Sequence, residues 1–230
     1  MIFPTFKNEL KCFEEGYDFV IGCDEAGRGP VAGPVVAAAC VLDRNSIGKK
    51  RSKNKWYYRV RDSKTTNIEE RKKLVKEILE HTLAYGVGEV SHQEIDKINI
   101  HHASLLAMRR AVEDLLQKAK SVKQKAFLFV DGRFLLPDKP ARLGRSGGGG
   151  REGFELEQKA VIDGDAKVLS IAAASIIAKV HRDTIMERLD GEFPGYGFAR
   201  HKGYNTKEHQ RALKKLGISL VHRNSFVRSI

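Results

Sequence analysis

The sequence predicts an α/β protein: a mixed sheet with helices packed on it, and further helices toward the C-terminus. Three observations carry this expectation. Short apolar runs that stop at acids or turn residues read as buried strands. Longer stretches with apolar residues at helical spacing follow and interrupt them. Glycine and proline clusters sit where one kind gives way to the other.

The first strand is expected at 17–23 (YDFVIGC) and the second at 35–42 (VVAAACVL), joined by AGRGPVAGP, whose glycines and prolines turn the chain and allow antiparallel pairing. The segment 44–61 is basic and expected to be a flexible loop or a twisted hairpin, with Trp56, Tyr57 and Tyr58 packing down. From Asn67 onward, Ile68, Leu74, Val75, Ile78 and Leu79 fall near helical spacing, and 85–90 (YGVGEV) reads as a third strand. A long helix is expected over 101–119, with Leu105, Leu106, Met108, Ala111, Val112, Leu115 and Leu116 on its buried side. The run 126–130 (AFLFV) is another strand and, like the first, it ends on an acid, Asp131. The stretch 133–155, with two prolines and four consecutive glycines at 147–150, is expected to be a flexible loop. A short strand at 158–162, a helix over 166–189 and a last helix over 206–216, opened by an N-cap-like Thr206 with Glu208 in its first turn, complete the chain. With no internal repeat, a single domain spanning 1–230 is the economical organisation.

Forty-one Lys and Arg against 29 Asp and Glu leave a net charge of +12, which draws the protein to polyanions. The charge is uneven: Lys49, Lys50, Arg51, Lys53, Lys55, Arg59, Arg61 and Lys64 crowd one stretch with no acid before Asp62. That run fits either a solvated loop or a phosphate-facing surface. Three cysteines without paired spacing fit a reducing compartment, and neither a signal-like N-terminus nor a membrane-spanning apolar run is present, so a cytoplasmic location is expected.

Asp24 and Glu25 follow the first strand and Asp131 follows a later one. One acid after a strand is an ordinary turn residue. Several are different: parallel neighbouring strands bring their ends to one side of a sheet, and ionised carboxylates beside a core are costly unless they meet cations. Asp165, at a helix start, can join them. Hard divalent ions such as Mg2+ or Mn2+ take oxygen ligands and work beside phosphates, so a strongly basic chain with an acidic cluster makes sense as a nuclease. Directly after the acids, Gly27, Arg28 and Gly29 allow backbone to approach a ligand closely. The spacing Gly27, Gly29, Gly33 misses the dinucleotide-binding pattern by one residue, and no P-loop lysine is present.

The stretch CDEAGRGPVAGPVVAAACVL resembles the characteristic motif of ribonuclease HII, a type 2 ribonuclease H. The likeness continues through RDSK at 61–64, INIHHASLLAMRRAV at 98–112, FVDG at 129–132, GDAKVLSIAAASIIAKVHRD at 164–183, HKGYNTKEH and the HRNSF segment. The resemblance implies a ribonuclease H-like mixed sheet. It also implies an endonuclease that cuts the RNA strand of RNA–DNA hybrids and incises 5' of ribonucleotides embedded in duplex DNA, the first step of ribonucleotide excision repair. Carried over residue by residue, Asp24, Glu25, Asp131 and Asp165 become the carboxylates that bind Mg2+ or Mn2+ and activate water. Gly27, Arg28, Gly29 and Tyr204 become the readers of the ribonucleotide junction, and Ser63 and Lys64 become phosphate contacts. Lys179 and Arg182, three apart on one helix, are further phosphate candidates or else plain surface cations. A monomer acting on RNA–DNA hybrid or ribonucleotide-containing duplex, away from membranes, is expected.

The basic stretch before Asp62 and the glycine-rich stretch before Asp165 look longer than in compact members of the family, and the residues before Tyr17 leave no room for the extra N-terminal domain of ribonuclease HIII. A basic protein that binds nucleic acid without cutting it is the rival reading, opposed by the intact acids. A relative specialised for long hybrids is another. The pairs His101/His102 and His201/His209 lack zinc-like spacing and are expected to be structural or solvent-facing, and Cys23 a small buried hydrophobe.

Overall fold

The computed structural model describes residues 3–47, 55–60, 68–119, 125–137 and 156–227. Five strands make one sheet: β1 (Phe19–Ala26), β2 (Val35–Leu42), β3 (Thr82–Val90), β4 (Ala126–Asp131) and β5 (Glu157–Val161), in the order β3-β2-β1-β4-β5. β1 pairs antiparallel with β2 and β2 with β3, whereas β4 lies parallel to β1 and to β5. The antiparallel pairing of the first two strands matches expectation, and every residue of β2 is buried because helices cover both faces of the sheet.

The alternation of side chains along β2 divides the core in two. Val35, Ala37, Ala39 and Val41 face α3 (His92–Lys118), packing with Ala103, Ala107, Ala111 and Leu115. Ala38, Cys40 and Leu42 face the opposite layer, formed by α2 (Ile68–Glu80) and α4 (Leu169–Glu192), with Leu74, Ile78, Ala172, Ala173 and Ile176. Trp56 and Tyr57 are buried in this second layer, on a 3-10 turn over Trp56–Tyr58, so they pack as expected and form no hairpin there. The remainder of the basic segment, with Ser63 and Lys64, and the glycine-rich stretch beyond residue 137 lie outside the described residues.

Several boundaries differ from expectation for identifiable reasons. α3 begins at His92, well before residue 101, because Ser91 and Glu94 form a reciprocal capping box; the helix then kinks at Asn99 (φ 65°) and resumes. β3 starts at Thr82 rather than Tyr85. α4 starts at Leu169 because Gly164–Ala166 form a separate 3-10 turn that swings the chain back toward the end of β4. Thr206 caps α6 (Lys207–Leu216) by accepting from the N–H of His209, as its sequence suggests. The short helices α5 (Phe198–His201) and α7 (Asn224–Val227) frame the loops around it.

The helix α1 (Lys7–Glu14), absent from the sequence-based expectation, supplies a cap to another helix. α4 has no side-chain cap of its own; instead Glu9, fully buried, accepts from the backbone N–H of Ser170 at 2.8 Å. Burial pushes the Glu9 carboxyl up to about 7 against the pull of these N–H groups. Its folded value therefore lies above the unfolded 4.5: the contribution of Glu9 to stability is complete below pH 4.5 and is lost as pH rises through about 7. Urea unfolding at about pH 5 and about pH 8 is expected to shift the difference between wild type and Glu9→Gln by ~2–3 kcal/mol in favour of the variant. A pH-independent difference would mean that this carboxyl ionises in the folded protein as it does in the unfolded chain.

Candidate active site

The parallel pairing of β1 with β4 builds the site. Cys23 lies opposite Val130 in that register, so the next residues along, Asp24 and Asp131, come level at the same edge of the sheet. One carboxylate oxygen from each of Asp24, Glu25 and Asp131 lies within 4.8 Å of the others. Asp165 stands outside that trio, on the 3-10 turn, close enough for its charge and its backbone N–H to act on Asp131. Asp163, the neighbouring acid, adopts a left-handed conformation (φ 53°), is exposed and pairs with Lys167.

The cluster is held under electrostatic tension. Asp24 is only 5% exposed; burial, then the charges of Glu25 and Asp131, push its carboxyl well above the usual range. The Ser175 hydroxyl and the N–H of Glu25, at 2.7 Å, pull the other way by bonding the ionised form. Asp131 is pushed up to about 6 by burial together with Glu25 and Asp165, opposed by the N–H of Gly164 at 2.6 Å. Arg28 Nη1 donates to Glu25 at 3.1 Å, supplying one positive charge to the group. Crowded oxygen donors that resist ionising together fit a hard divalent cation, which would relieve the repulsion.

Gly27–Gly29 leave β1 beside these acids. A Cβ on Gly29 would stand 3.6 Å from Cε1 of Tyr204, so the loop and the half-exposed tyrosine ring form adjoining parts of one surface. The backbone of Tyr204 is anchored from below: its carbonyl accepts from Nδ1 of His209 at 2.9 Å, and Nε2 of His209 meets Nε2 of His222 at 3.0 Å. His201 stacks on His209 at 4.3 Å between ring centroids. These histidines are structural, as expected, and His222 is pushed down to about 4 by burial and by His209, which keeps it neutral near pH 7. Cys23 is fully buried, in keeping with a small hydrophobe.

Two of the phosphate candidates need correction. Arg182 is 0% exposed and donates to the carbonyls of Ala32, Pro34 and Lys202, so it offers nothing to a phosphate; its long side chain reaches inward from α4 between two loops. Lys179 is largely buried and its Nζ pairs with Asp183 at 2.7 Å, while Arg71 takes the other oxygen of that carboxylate. Sequence reasoning overlooked Ser175 and Arg223. Ser175 was visible as the one hydroxyl in a run of small residues on the helix covering β1; Arg223 lies inside the HRNSF segment.

A sheet of this order, with acids converging at the ends of its adjacent central strands, defines the class: a metal-dependent nuclease on a ribonuclease H-like fold. The comparisons agree. The family described as ribonuclease HII matches residues 21–229. A ribonuclease HII from Caldicellulosiruptor bescii is 42% identical over 98% of this chain and 94% of that protein. One from Clostridioides difficile is 41% identical over 98% and 75%. Among solved structures, the ribonuclease H2 of Pyrococcus horikoshii is similar with a TM-score of 0.63 and 25% identity, covering 90% of this chain and 93% of that one. The chain belongs to the ribonuclease HII family, endonucleases that cut RNA in RNA–DNA hybrids. Among the described residues no helix is long and apolar enough to cross a membrane.

Proposed function

We propose that this chain incises 5' of ribonucleotides in duplex DNA as well as within RNA–DNA hybrids, with Asp24, Glu25, Asp131 and Asp165 holding Mg2+ or Mn2+. The observation that carries this reading is the convergence of three carboxylates within 4.8 Å beside the Gly27–Gly29 loop. A divalent cation bound there supplies the positive charge that admits a phosphodiester and activates water for in-line attack. The chain's own groups do the rest. Ser175 and the Glu25 N–H fix the orientation of Asp24, Gly164 fixes Asp131, and Arg28 steadies Glu25. The backbone at Gly27–Gly29 lies against the ribose, whose 2'-hydroxyl both donates and accepts hydrogen bonds, and the Tyr204 ring packs on the following deoxyribose. Hydrolysis adds water across the P–O3' bond and leaves 3'-hydroxyl and 5'-phosphate ends. Ser63 and Lys64 are phosphate contacts in this reading. We take the enzyme to be a single-domain, cytoplasmic monomer, consistent with its three free, buried cysteines.

The test uses three duplexes of one sequence: all DNA, one embedded ribonucleotide, and an uninterrupted hybrid. Cleavage is expected only of the two that contain ribose, only with Mg2+ or Mn2+ present, and 5' of the single ribonucleotide. Equal cutting of the all-DNA duplex would refute ribose recognition. Salt-sensitive binding without divalent-dependent product would point instead to a binding protein.

A further inference from the structure

Arg182 in α4 and Arg223, just before α7, are fully buried, and their donors go to main-chain carbonyls. Arg223 gives Nε to Gly33 at 2.9 Å, Nη1 to Arg28 at 3.0 Å, and Nη2 to Gly27 at 2.7 Å and to Pro34 at 3.1 Å. Arg182 gives Nε to Pro34 at 3.0 Å, Nη1 to Lys202 at 3.0 Å and Nη2 to Ala32 at 3.2 Å. Burial lowers the two guanidiniums to about 10 and about 9, which leaves both charged near pH 7. Burying a cation among neutral dipoles is costly, and no other side chain offers five donors in one rigid plane. The pair clamps two stretches of chain, the turn from Gly27 to Pro34 and the loop that leads into Tyr204.

The consequence for recognition follows from peptide geometry. No peptide bond here is cis, and in a trans peptide the carbonyl and the following N–H point to opposite edges of the plane. Arg223 holds the carbonyls of Gly27 and Arg28, so the N–H groups of Arg28 and Gly29 are turned away from the buried guanidinium. Gly27 is a glycine partly for the same reason: its φ is +98°, and a Cβ there would stand 2.1 Å from Nε of Arg182. We propose that Arg223 and Arg182 are positioning residues for ribonucleotide recognition: Arg223 presents the Arg28 and Gly29 N–H groups as donors to the 2'-hydroxyl, and Arg182 ties the Tyr204 loop to the same platform. This rests on the reading of Gly27–Gly29 and Tyr204 as substrate contacts given above.

Arg223→Lys keeps the charge but cannot bridge four carbonyls. Its kcat/KM on the duplex with one ribonucleotide is expected to fall about 10- to 100-fold. The uninterrupted hybrid, which presents the same 2'-hydroxyl, should lose activity per folded molecule as well, while calorimetric affinity for Mg2+ stays unchanged. If activity falls only in proportion to the folded fraction, with none lost per folded molecule, the arginine is merely structural and the proposal is overturned. Should the variant not fold, amide exchange on Asp131→Asn protein, which leaves the duplex uncut, decides. The Arg28 and Gly29 amides are expected to gain protection from a ribonucleotide-containing duplex and not from the all-DNA duplex. No difference between the two would overturn the proposal. If wild type itself fails to distinguish ribose, the functional reading fails; if wild type discriminates and Arg223→Lys does too, only this inference does.

Discussion

Asp24→Asn is expected to make the metal-free protein more stable while removing its activity. Asp24 sits almost wholly buried with Glu25 and Asp131 close by, so the folded state bears a repulsion that the unfolded chain does not. An asparagine keeps the carbonyl that accepts from the Glu25 N–H and adds an amide that can donate to a neighbouring carboxylate. Removing one of several coupled charges should stabilise by ~1–3 kcal/mol, a rise in Tm of roughly 2–4 °C for each kcal/mol in a chain of this size. Loss of a ligand oxygen at the reacting centre, where cations contribute several kcal/mol, should lower cleavage by ~1000-fold or more. Thermal melts with and without Mg2+ add a third readout. The ion should raise the Tm of wild type by mass action and raise that of the variant much less. A variant that melts lower than wild type and retains activity within about tenfold would contradict this account of the cluster.

The second large effect is expected from Gly22→Ala. Gly22 lies in β1 two residues before Asp24, and a Cβ there would stand 2.2 Å from the backbone carbon of Ser170 and 2.4 Å from the backbone nitrogen of Ile171. Those atoms belong to the first turn of α4 and cannot rotate aside as a side-chain tip would. The strand or the helix must move, at a cost of about 3 kcal/mol or more. The same displacement carries Ser175 away from Asp24, so activity per folded molecule should fall as well. Gly191→Ala is the control: nothing lies within 4 Å of its Cβ and it sits in the last turn of α4, so stability should stay the same or rise by up to about 1 kcal/mol. Urea midpoints measured side by side decide; similar values for the two variants would show that β1 and α4 have room between them.

The strands bearing the acids were readable from sequence because each is covered on both faces and therefore uniformly apolar until it meets Asp24 or Asp131. That Asp131 lies level with Asp24 was not readable in the same way. It depends on a register between segments about a hundred residues apart, which only a family likeness could anticipate. The early start of α3 was hidden because Asn99 interrupts the apolar spacing, although Ser91 and Glu94 stood there as a cap. α1 escaped notice because eight residues make only about two turns, too short a stretch for apolar spacing to stand out. Arg182 was misjudged for a general reason: a long cation reads as surface, and what buries it here is a set of carbonyls contributed by loops remote in sequence.

The pairing of β4 with β1 also orders events during folding. β1 and β2 are joined by a short turn and β3 follows about forty residues later, so these three can associate early, whereas β4 must close a loop of about a hundred residues before it can dock on β1. An intermediate that has the first three strands and α3 holds Asp24 and Glu25 and lacks both Asp131 and Asp165. With the proposed ligand set, cation affinity would report the docking of β4 and of the turn carrying Asp165 rather than collapse, and a chain emerging during synthesis would stay chemically silent until both have been made.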